Sequence, residues 1–163
     1  LGSDSQTWIF GLINSGYFLA SLVGVGVINL VLRKRRISQS LILVISRLCV
    51  GLLIVVLALQ KSLLSFAGIY LFLFMINGIM NIPEGTMLNS LLPDDKRSSL
   101  LSFSSLMLQL GGIIGSVLFS RLVKTLRISG VWIIAGIVFG ISGLLYLYIR
   151  NPAMPGSRVR PND

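Results

Sequence analysis

Long uninterrupted apolar runs dominate this sequence and leave it few folds. Stretches long enough to cross a bilayer lie at about 8–32, 40–59, 63–91, 99–123 and 131–149. A hydrocarbon core about 30 Å thick needs about 20 helical residues. The runs are continuous, whereas a membrane β-strand alternates apolar and polar residues over about 10 positions. The expected fold is an all-α membrane protein, a bundle of five transmembrane helices over 8–149. A polar extracytoplasmic segment, 1–7, precedes the bundle, and a Pro- and Gly-containing tail, 150–163, follows it. Composition agrees: 54% of residues are hydrophobic, only 12% are charged, and the mean hydropathy is +0.89. Those values fit neither a water-soluble domain nor intrinsic disorder.

The net charge of +9 is less informative than where the charges fall. Arg33, Lys34, Arg35 and Arg36 form one run, Lys96 and Arg97 a second, and Arg150, Arg158 and Arg160 a third, each at the end of an apolar stretch. This bunching follows the positive-inside rule and argues against a nucleic-acid partner. It places the N-terminus outside and the C-terminus in the cytoplasm, in a multi-pass protein of the cell membrane whose immediate partner is the lipid bilayer. The segment 1–7 has neither a basic stretch nor a cleavage pattern, so no signal peptide is expected. With Leu1 at the start and an odd span count, the expectation is a fragment of a longer protein. The lone Cys49 and the lack of His leave no disulfide and no metal site. No phosphate- or dinucleotide-binding loop is present, so no cofactor and no enzymatic role are expected.

Polar groups inside membrane spans are costly and therefore mark function. In the third stretch Asn77, Asn81 and Glu84 follow i, i+4, i+7 spacing, which puts them on one helix face. Beside them Pro83 cannot donate to the carbonyl of Ile79, so a bend is expected there. Glu84 is the one carboxylate within any stretch. It could exchange a proton or hold a cation, since burial disfavours a carboxyl's charged form. Equally, it could pair with Arg47, because both lie about 10–12 Å deep at 1.5 Å per residue. In the fourth stretch Ser98, Ser102, Ser105, Gln109, Gly112 and Ser116 form a stripe that lines either a pathway or a tight helix contact. Gly111 and Gly115 beside it suggest close packing. Asn14, Ser15, Tyr17 and Ser21 make a weaker patch in the first stretch, while Trp8, Tyr146 and Tyr148 suit interfacial aromatic belts.

The order of these features resembles the C-terminal half of the major facilitator superfamily. Arg97-Ser98-Ser99-Leu100-Leu101-Ser102 is similar to the start of that family's eleventh helix, and Leu88-Asn89-Ser90-Leu91-Leu92-Pro93 to the end of its tenth. Gly24, Gly26 and the Arg33–Arg36 run stand where the family repeats its glycine and basic-loop signature, without its Asp-Arg pair. The resemblance implies helices eight to twelve of a secondary transporter, with the N-terminal half as partner. It implies alternating-access movement of a small molecule, most simply proton-coupled efflux of a drug or metabolite. Asn14, Tyr17, Asn77, Asn81, Ser105 and Gln109 would line the cavity, Glu84 would couple to protons or another ion, and Pro83 would bend its helix. Arg33, Lys34, Arg35, Arg36 and Arg97 would serve orientation and cytoplasmic gating. The alternatives are a non-transporting scaffold or assembly subunit and a truncated product without function.

Overall fold

The computed structural model describes residues 7–34 and 37–148, which form helices joined by short connections with no strand among them. Helix α1 spans Thr7–Lys34, α2 Gln39–Ala58 and α3 Leu63–Leu91. A 3₁₀ turn at Asp94–Lys96 leads into α4, Arg97–Ser142, and a second at Gly143–Leu147 follows it. Four helices are long and apolar enough to cross a membrane. The expected count of five is not matched: 99–123 and most of 131–149 both fall within α4, which consists of two helical arms joined across a kink at Arg127. Lys124, Arg127 and Gly130 look like a polar loop in the sequence. The backbone instead stays helical through them and departs only at Arg127, with φ 59° and ψ 167°. Lys, Thr, Leu and Arg are all compatible with a helix, so a single bent residue replaces the loop. The segment 1–6, the tail 149–163, the pair Arg35–Arg36 and the Trp8 side chain lie outside the described residues.

Packing is concentrated on α2 and α3. Helix α3 lies between α1 and α2, and α2 lies between α3 and the C-terminal arm of α4. Leu43 and Val50 of α2 meet Leu73, Ile76, Met80 and Met87 of α3 in the buried core. Two glycine crossings bring the backbones together. A Cβ on Gly24 would overlap the Met75 carbonyl of α3, and one on Gly78 would overlap the Ser21 carbonyl of α1. At the other seam a Cβ on Gly51 would stand 2.6 Å from the Gly136 carbonyl oxygen. In a bilayer, where lipid is as apolar as leucine, such close approach is what holds helices together. The outward surface suits the same solvent: Leu64, Leu108 and Leu12 are 84%, 79% and 66% exposed. Water would penalise that surface, whereas acyl chains solvate it.

Candidate functional site

A side-chain polar cluster forms where α2, α3 and the end of α4 meet. Arg47 projects from α2, Glu84 from α3, and Tyr146 from the 3₁₀ turn after α4. Arg47 Nη2 donates to Glu84 Oε1 at 2.9 Å and to Tyr146 Oη at 3.1 Å. The Tyr146 hydroxyl donates in turn to the same Glu84 oxygen at 2.9 Å. Three atoms thus close a ring in which one carboxylate oxygen accepts twice. Arg47 Nη1 donates to Ser142 Oγ at 3.2 Å, and that hydroxyl donates to the Phe139 carbonyl at 2.6 Å. The guanidinium also lies 5.0 Å from the Phe139 ring centre and 5.1 Å from that of Tyr146, within cation–π range.

Each position has a local cause. Gly143 leaves room for the arginine stem, because a Cβ there would stand 2.9 Å from the Arg47 Cβ. Pro83 is fully buried beside Glu84, inside a helix that continues through it to Leu91. The Arg47 side chain is 20% exposed and that of Glu84 is 43% exposed, so the arginine is the more enclosed partner. Its Nε is buried with no hydrogen-bond partner among the described residues. The arrangement can hold a carboxylate ionised beside a fixed cation. Protonating that carboxylate would remove the Coulombic part of the link between helices.

The other expected site residues are scattered. Asn77 is half-buried and Asn81 exposed, on the same helix as Glu84. Asn14 is exposed on α1. Tyr17 instead packs between helices, edge-on to Phe74 at 4.5 Å, at the head of an aromatic chain continuing through Tyr70 and Phe66 to Trp132. Ser105 and Gln109 are exposed, and the structure does not bring them against α3. Every described side chain from Arg97 to Ile114 is exposed, and a Cβ on Gly111 would meet nothing within 4 Å. The close packing expected at Gly111 and Gly115 is therefore not seen among the described residues. Ser116 and Ser120 donate back to carbonyls of their own helix, Ile113 and Ser116. Arg97 pairs with Asp94 at 2.8 Å across one exposed turn, while Arg33 and Lys34 lie exposed in the last turn of α1.

Sequence reasoning missed Tyr146 and Ser142. Tyr146 sits near a helix end, where an interfacial tyrosine needs no partner, so belt placement accounted for it.

Comparison with known proteins adds the family. The Major Facilitator Superfamily model matches residues 1–162. No curated protein and no solved structure matches the chain. A match over nearly the whole sequence, on a chain whose described part carries four helices long and apolar enough to span a bilayer, makes this a multi-pass membrane protein that belongs to the Major Facilitator Superfamily, a family of transporters.

Proposed function

We propose that this chain works as the C-terminal half of a secondary transporter that moves a small solute across the cell membrane by alternating access. The solute is a drug or metabolite, its direction is outward, and protons drive it. The other half of the same transporter is the partner that completes the cavity. The basic runs support a cytoplasmic C-terminus. The observation that carries the coupling assignment is the ring of Arg47, Glu84 and Tyr146. It holds the only carboxylate within α1 to α4. Loading Glu84 with a proton would cancel its attraction to Arg47 and loosen α3 from α2. Unloading it would restore the link. Asn77, Asn81, Asn14, Ser105 and Gln109 are the residues offered for the solute path.

Everted membrane vesicles containing the transporter, with a lipophilic fluorescent dye as solute, test this. Glu84→Gln should insert normally and abolish the acceleration of dye uptake by an imposed pH gradient. Coupling that persists in Glu84→Gln overturns the assignment.

A further inference from the structure

The end of α1 carries a groove that the transport reading does not use. About 520 Å³ in volume, it is lined by Val27, Leu30, Val31, Lys34 and Ile37. Four of these are aliphatic, and Lys34 is the one charged group on the wall. Val27 and Leu30 are 42% and 60% exposed, so the wall is open to an incoming molecule. Arg33 precedes Lys34, and Arg35 and Arg36 follow it directly in sequence. Among the described residues the ion pairs are Arg47–Glu84 and Arg97–Asp94, so neither Arg33 nor Lys34 has a carboxylate beside it. The carbonyl end of a helix carries about half a negative charge, which Arg33 and Lys34 in that last turn outweigh.

An aliphatic trough ending in uncompensated positive charge complements an amphiphile with a hydrocarbon chain and an anionic head. At the end of a membrane helix the abundant molecule of that kind is a phospholipid. We propose that this groove binds an anionic phospholipid, with one acyl chain along Val27, Leu30, Val31 and Ile37 and the phosphate at Lys34 and Arg33. A zwitterionic lipid offers the same chain and phosphate but brings an ammonium into a field of cations. The groove therefore discriminates by net head charge. The inference requires only that the chain sits in a membrane, and it stands or falls independently of any transported solute.

Native mass spectrometry of the full chain tests it. The chain is released from micelles holding equal amounts of phosphatidylglycerol and phosphatidylcholine. The wild type should retain phosphatidylglycerol preferentially. Lys34→Gln should lower that occupancy by about fivefold, the scale for one cation near a membrane surface. Leu30→Trp, at an exposed wall position that can enlarge without disturbing the core, should displace the lipid although every cation remains. Val27→Phe repeats that test at a second wall position. Lys61→Gln, at an exposed lysine between α2 and α3, should change nothing. Equal retention of the two lipids overturns the proposal. So does loss in Lys34→Gln without loss in Leu30→Trp or Val27→Phe, which would mean diffuse attraction to the basic run. An effect of Lys61→Gln equal to that of Lys34→Gln overturns it as well.

Discussion

Arg47 gathers contacts from three helical elements, and its energetics follow from what would be left if it were removed. Glu84 would keep one donor, Tyr146, and lose its counter-charge in a largely apolar setting. A hydrogen bond to a charged group contributes about 1.5–3 kcal/mol. Removing both ends of a buried ion pair can be close to neutral. Arg47→Leu should therefore destabilise the purified protein by that order, and Arg47→Leu combined with Glu84→Leu should recover most of the loss. Thermal unfolding in detergent measures both. Additive losses in the double variant would mean that the pair is not energetically coupled. Arg47 and Glu84 were legible as a pair because a helix converts sequence distance into depth, and their depths agree. Tyr146 was not, because an aromatic residue near a span end is satisfied by the interface alone.

Helices rather than side chains decide how close the neighbours of Arg47 can come. The α1–α3 crossing depends on Gly24 and Gly78, each set against a backbone carbonyl of the other helix, so no rotamer change can make room there. Gly78→Leu should separate α1 from α3 and cause loss of folded protein on detergent extraction. Gly26→Leu, where a Cβ meets nothing within 4 Å, should be tolerated. Equal recovery of the two variants would contradict the crossing. The bend in α4 is a different matter. Arg127 at φ 59°, ψ 167° occupies a region suited to glycine, at a cost of about 1–3 kcal/mol. Arg127→Gly should raise the melting temperature, with a net gain of about 1 kcal/mol after the extra freedom of glycine in the unfolded chain. A lower melting temperature would mean that the Arg127 side chain contributes more than its backbone costs. Membrane-length helices are legible because about 20 apolar residues in a row have few other uses. The bend is not, since nothing about an arginine inside a polar heptapeptide marks it as the turning point rather than Gly130.

At the scale of the whole molecule, the chain is unevenly covered. Packing gathers around α2 and α3, while the arm of α4 before Arg127 presents its side chains outward almost throughout. Two surfaces are superposed on that arm. One is the stripe of Ser102, Ser105, Gln109 and Gly112, and the other is aliphatic, with Leu108 79% exposed. Leu108 lies about 100° round the helix from Gln109, so the two can face different surroundings in the membrane. If the stripe lines a solute path it meets water, and if it packs against another helix it meets protein. Lipid is the natural neighbour of Leu108 in either case. Hydropathy and spacing made the stripe legible but not its neighbours, because serine and glutamine suit a water-lined path and a helix contact alike. In a Cys49→Ala background, Gln109→Cys and Ser105→Cys should react with a membrane-impermeant thiol reagent, and Leu108→Cys should not. Silence at all three positions would make the stripe a packed interface and favour the scaffold reading. Labelling at Leu108 as strong as at Gln109 would place the whole arm in water, against its assignment as part of a membrane span.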